Sequence, residues 1–319
     1  MELAWLFPGQ GSQAVGYLHR LPEHEQVRRT LAQAAQVLGD DPLEFDRPEA
    51  LRSTVAVQLG LLIAGVAQAR VLDAEGLRPD VVAGLSVGAF GAAVACGCLD
   101  FVDALRLVRL RAQGMERGFP RGWGMLSVSG LREAALQALL DGIRAERPQA
   151  RVYLANLNSA SQFVVAGADS SLDLLQQAAR RAGARQVERL DVAVPSHCEP
   201  LEPVSRELAQ ALRGVRLREP DAAYMANTTA RLLRSAADIA RDLAEGVMRP
   251  VRWHDSNRGL LERGVRCLVE MPPGQALTRM VTNLNCQVVA LAAESMQPGS
   301  LVLRIRRACS GGPATPAHR

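Results

Sequence analysis

A chain of 319 residues, 48% hydrophobic and 22% charged, has the balance of a soluble globular protein with room for one large domain plus an insertion, or for two domains. Its 37 basic residues against 33 acidic ones leave a formal charge of only +4. With 4% aromatic residues it also lacks the stacking platforms of a nucleic-acid binder. Every basic residue is arginine, which excludes Schiff-base chemistry on a lysine amine and a Walker A phosphate loop.

The first predicted element is a buried strand, Leu3-Ala4-Trp5-Leu6-Phe7. It ends in the polar, glycine-containing loop Pro8 to Gln13, the kind of loop on which open α/β sheets place ligands. The periodicity predicts a helix from His24 to Leu38, a loop over 40–50 and a long buried helix from Ser53 to Glu75. A short strand, Asp80 to Ala83, then turns at Gly84-Leu85-Ser86-Val87-Gly88 into a small-residue helix, Ala89 to Gly97. A serine between two glycines at a strand-to-helix turn is the pattern of a nucleophile elbow: the glycines allow the bend that projects the hydroxyl. The helix start behind it offers free N–H groups where negative charge would develop.

A helix from Phe101 to Arg117 follows, carrying Arg111 among apolar residues. An arginine facing inward has to meet an anion, and its planar fork suits a carboxylate. From Gly122 the rhythm changes. Strands are predicted at Met125–Ser129, Arg151–Leu157, Gln162–Ala166 and Gln186–Val194, with helices at Arg132–Arg144 and Ser171–Ala182. That βαββαβ order marks a ferredoxin-like unit. Afterwards α/β alternation resumes, with helices at 201–213 and 235–246 and strands at 223–226, 266–270 and 287–291. The expected fold is therefore α/β: a core of residues 1–123 and 195–308 with a mostly parallel sheet, interrupted by the ferredoxin-like subdomain 124–194. A disordered tail is expected over 309–319.

The six cysteines show no ligand spacing beyond one C-x-C, as free thiols in a reducing compartment would. No secretory leader is visible. The longest apolar run, Leu59 to Ala67, is too short to span a bilayer, so a cytoplasmic protein is expected.

An elbow serine needs a base. Of five histidines, His197 follows Val194-Pro195-Ser196 where the inserted unit returns to the main sheet, and His254 after Pro250-Val251-x-Trp253 is its competitor. Asp191 and Asp255 are candidates for the carboxylate that a hydrolase triad would require. An α/β-hydrolase-type esterase or thioesterase would need such an acid and would have no use for Arg111.

Over roughly residues 3–305 the chain resembles the malonyl-CoA:acyl-carrier-protein transacylase family. The resemblance rests on Phe7 to Gln13, Gly84 to Gly88, Arg109-Leu110-Arg111 with Met115 and Asn156-x-Asn158. It continues with Val194 to Cys198, Pro250-Val251-x-Trp253 and Glu270-x-x-Pro273-Gly274. It implies a Ser86–His197 dyad in an α/β-hydrolase-like core, the imidazole oriented by a backbone carbonyl near Pro250–Trp253. It further implies an oxyanion hole from the N–H groups of Gln10 and Val87, a malonyl-carboxylate clamp at Arg111, and Asn156 in the cleft wall. Malonyl-CoA would be the substrate and the phosphopantetheine-type arm of an acyl carrier protein the acceptor, with no permanently bound cofactor and no metal, nucleic-acid or membrane partner. The family has His before the serine and Glu after the second glycine, whereas this chain has Leu85 and Ala89. In that respect it looks more like the epsilon-type transacylase subunit of malonate decarboxylase, whose acceptor is a dedicated carrier subunit. The enzyme of fatty-acid synthesis is the alternative.

Overall fold

In the computed structural model, which describes residues 1–192 and 194–310, the apolar run Leu3–Phe7 becomes β1, fully buried at the centre of a sheet. The chain then forms α1 (Glu25–Leu38), α2 (Thr54–Ala74), β2 (Val81–Gly84), α3 (Gly88–Ala95) and α4 (Phe101–Gly118). His24 caps α1 with its ring, accepting from the Gln26 amide, and the predicted loop over 40–50 is instead two 3₁₀ turns, at Pro42–Asp46 and Ala50–Arg52. By length and composition α2 could cross a membrane, yet 83% of its most apolar window is buried inside the protein. It is the central helix of the core, packed against α1, α3 and α4.

The interrupting unit comprises β3 (Trp123–Ser129), α5 (Glu133–Glu146), β4 (Val152–Ser159), β5 (Gln162–Ala168), α6 (Asp169–Arg181) and β6 (Gln186–Arg189). They form an antiparallel sheet in the order β4-β5-β3-β6. Strand alternation sorts its two faces. Leu126, Val128, Phe163 and Val165 pack with α5 and α6, while Met125, Val164 and Ala166 join the core of the larger sheet. The strand expected to run to Val194 stops at Arg189. Leu190 makes the last bond to Met125, and a tight turn from Val192 back to Leu190 then takes the chain off the sheet. Ala193 lies outside the described residues.

The return segment supplies α7 (Glu202–Arg213), β7 (Ala223–Met225), β8 (Leu232–Leu233), α8 (Ala236–Glu245), α9 (Trp253–Glu262), β9 (Cys267–Glu270), α10 (Ala276–Leu284), β10 (Val289–Ala292) and α11 (Pro298–Cys309). The large sheet runs β10-β9-β1-β2-β7-β8, all parallel except the β7–β8 hairpin. Its topology places the C-terminal ends of β1 and β2 side by side, and β2 ends at the elbow. Val251 joins the two sheets, donating to the Ala155 carbonyl and accepting from the Leu157 amide at 2.8 and 2.9 Å. A tail was expected over 309–319, but α11 continues through Cys309; residues 311–319 lie outside the described ones. Glu270 is fully buried, and burial pushes its carboxyl above the usual range. It accepts from the amides of Leu277 and Thr278 and from the Thr278 hydroxyl, which caps the start of α10.

Candidate active site

The elbow works because two glycines remove atoms that would collide. A Cβ on Gly84 would sit 2.1 Å from the Gly88 backbone, and one on Gly88 would sit 2.2 Å from the Phe7 carbonyl oxygen. β2 can therefore reverse into α3 while pressed against the end of β1. Ser86 at the apex is left-handed, with φ of 57°. That conformation costs a non-glycine residue about 1–3 kcal/mol and persists only where the surroundings impose it. Here Asn227 imposes it from the loop after β7. Its amide oxygen accepts from the Ser86 N–H at 2.9 Å, and its amide nitrogen donates to the Gly84 carbonyl at 2.7 Å.

His197 arrives from the segment between β6 and α7, also left-handed with φ of 58° and 2% exposed. Its Nε2 lies 2.7 Å from Ser86 Oγ and its Nδ1 2.5 Å from the Gly246 carbonyl oxygen. A carbonyl can only accept, so Nδ1 carries the proton and Nε2 presents its lone pair to the serine hydroxyl. The orienting carbonyl thus belongs to Gly246, at the end of α8, four residues before the Pro250–Trp253 segment near which it was expected. That segment uses its backbone to tie β4 to the core. Burial, and then the nearby Arg111 cation, push the His197 imidazole down to about 3, against the opposing pull of the Gly246 and Arg249 carbonyls.

Arg111 comes from α4 and is 3% exposed. It donates to Gln58 Oε1 on α2 at 2.5 Å and to Ser86 Oγ at 3.2 Å. Among the described residues no carboxylate pairs with it, and burial lowers its guanidinium to about 10. A buried cation without a counter-ion is costly, so an anion arriving beside Ser86 would relieve that cost.

Ser86, His197, Arg111, Gln10, Val87 and Asn156 all line one cleft of about 280 Å³ between the two sheets. The amides of Gln10 and Val87 have no acceptor among the described residues, and a Cβ on Gly9 would lie 2.6 Å from the Leu85 carbonyl oxygen, so the two loops touch there. Asn156 sits at a register shift on β4. The other sequence candidates lie elsewhere: His254 is on α9, Asp255 pairs with Arg252 at 2.6 Å, and Asp191 is exposed. A larger cavity of about 590 Å³ lies at the opposite edge, by the starts of β2 and β7, where Arg218 is paired with Asp100 and Arg70 is bonded to Thr30 and Gln33.

Sequence reasoning missed Gln58, Asn227 and Gly246. A glutamine inside an apolar helix was a usable signal, since a buried amide needs partners. Asn227 follows a strand at its C-terminal end, where open sheets carry their sites. Gly246 contributes only a carbonyl, which no side-chain pattern reveals.

The geometry has close counterparts. Residues 4–308 match the acyl transferase domain family. The chain is 32% identical over 302 residues to the malonyl CoA-acyl carrier protein transacylase of Haemophilus influenzae, covering 92% of this chain and 96% of that one. It is 31% identical to the Bacillus subtilis protein of the same name, covering 95% and 96% of the two chains. The Coxiella burnetii malonyl CoA-acyl carrier protein transacylase structure superposes with a TM-score of 0.91 at 30% identity, over 97% of this chain and 98% of that one. A malonyl-transacylase solved in complex with a type II PKS acyl-carrier protein superposes at 0.90, with 32% identity over 96% and 100% of the two chains. A buried serine–imidazole pair with a guanidinium on the same hydroxyl, carried on this sheet and matched along nearly the whole sequence, places the chain in the acyl transferase domain family, among the malonyl-CoA:acyl-carrier-protein transacylases.

Proposed function

We propose that the protein moves malonyl from coenzyme A to the thiol of an acyl carrier protein through a malonyl ester on Ser86, in the cytoplasm. The observation that carries this reading is the buried Arg111 guanidinium, without a carboxylate partner among the described residues and 3.2 Å from Ser86 Oγ. Ser86 Oγ attacks the thioester carbonyl while its proton passes to His197 Nε2, and the developing oxyanion is met by the N–H groups of Gln10 and Val87. The C–S bond breaks, and the coenzyme A sulfur leaves with the proton from His197. The carrier thiol then enters, gives its proton to Nε2 and attacks the ester carbonyl; the C–O bond breaks and Ser86 recovers the proton. Gly246 holds the imidazole in the required tautomer, so no carboxylate is needed. Arg111 holds the free carboxylate throughout, and a narrow cleft favours the tethered thiol over water.

The relatives named above support a carrier of the fatty-acid or polyketide type. The elbow supports a second reading, the carrier subunit of malonate decarboxylase. Leu85 packs into the apolar cluster behind the sheet and Ala89 is buried, where the family carries His and Glu. Loading Ser86 from malonyl-CoA and offering two carriers decides between them. Faster discharge to a phosphopantetheine-bearing carrier supports the first reading; faster discharge to a phosphoribosyl-dephospho-CoA carrier supports the second and refutes the first.

A further inference from the structure

The two reacting side chains come from segments 111 positions apart, yet one short helix supports both. Asp242 on α8 is 5% exposed and accepts from four donors: the Tyr224 hydroxyl at 3.1 Å, the Asn227 and Thr228 amides at 3.0 and 3.1 Å, and the Thr228 hydroxyl at 2.8 Å. Asn227, so fixed, clamps the elbow backbone on either side of Leu85, at the Gly84 carbonyl and the Ser86 amide. Four residues beyond Asp242, the Gly246 carbonyl holds the His197 ring, and the Val247 carbonyl accepts from the His197 amide at 2.8 Å.

We propose that Asn227 is a positioning residue for acyl transfer, through which α8 sets the Ser86 hydroxyl in register with the His197 imidazole. This rests on the reading of Ser86 as nucleophile. Asn227 touches no reacting atom; it acts on the two consecutive peptide groups that lead into Ser86 and, through the Ser86 amide, on where Ser86 Oγ points. An amide suits the place because one neighbour is a donor and the other an acceptor, and a carboxylate or an aliphatic side chain satisfies at most one of them. The bond to the Gly84 carbonyl is buried and the one from the Ser86 amide partly so, and losing them lets the strained Ser86 relax. Displacement of a nucleophile by about 1 Å costs on the order of 100-fold in rate.

The test is single-turnover acylation by malonyl-CoA, in which burst amplitude counts correctly folded sites and the rate constant reports their geometry. Asn227→Ala should keep its amplitude and a KM within about twofold of wild type while its acylation rate constant falls about 100-fold. Thr228→Val removes one Asp242 contact and none to the elbow; it should lower the melting temperature and leave the rate constant unchanged. Wild-type acylation per folded site in Asn227→Ala, or equal losses of rate in both variants, would overturn the proposal. Where Asn227→Ala fails to fold, Asn227→Asp serves: it keeps an oxygen for the Ser86 amide and loses the donor to Gly84. Its rate constant should fall about 10-fold, and an unchanged one overturns the proposal. Ser86→Ala runs alongside: an abolished burst upholds the nucleophile, and a surviving burst refutes that reading, whatever Asn227 does.

Discussion

Replacing Arg111 with methionine keeps the length of the side chain and removes its charge, and the reporter of that loss is His197. With Arg111 Nη2 at 3.2 Å from Ser86 Oγ and His197 Nε2 at 2.7 Å from the same atom, the cation lies within about 6 Å of the imidazole. At that distance and an effective dielectric constant of about 20, two unit charges interact by about 3 kcal/mol, or about two pKa units. His197 is held at about 3, first by burial and then by Arg111, so Arg111→Met should raise it by about two units. Histidine-selective NMR can follow this directly, since the chain has only five histidines. Stability should respond in the same sense. Between about pH 6.5 and 3 the unfolded chain takes up a proton that folded His197 refuses, so wild-type stability is complete above that window and falls as the pH drops through it. The variant should lose less. An imidazole pKa that stays put, or moves down, refutes the electrostatic link. If the link holds, a malonyl carboxylate that neutralises Arg111 also strengthens the base, which an uncharged acetyl group cannot do.

Gly88→Ala should cost both stability and transfer, because its methyl would meet the Phe7 carbonyl oxygen at 2.2 Å and force the elbow away from β1; a normal melt with normal turnover would refute the tight approach. Cys198, beside the base, is 2% exposed and burial pushes its thiol up to about 12, so peptide mapping should find it unalkylated under native conditions that label the exposed Cys286.

Much of this was legible in the sequence because local chemistry and tertiary role coincide there. Gly84-x-Ser86-x-Gly88 has one economical conformation, and the elbow forms where the pattern puts it. The βαββαβ succession of the interrupting unit could likewise be read along the chain, while the sorting of β3 to β5 between two cores shows only in the fold. The unread parts depend on long-range partners. Gly246 acts through a carbonyl, and only the tertiary placement of α8 says which carbonyl faces His197. Leu190 and Val192 alternate like a strand, yet their side chains line the cleft and the chain turns away after Arg189. Segments 253–262, 276–284 and 298–309, unassigned in the sequence reading, are helices whose buried faces pack against the sheet.

The central claim is that a malonyl ester forms on Ser86 beneath Arg111, and rapid quench with peptide mass mapping measures it. The account predicts a malonyl increment on the peptide holding Ser86, absent from Ser86→Ala and discharged faster by a carrier thiol than by water. Free malonate released as fast as coenzyme A with no adduct on Ser86, or an adduct on another side chain, would contradict it.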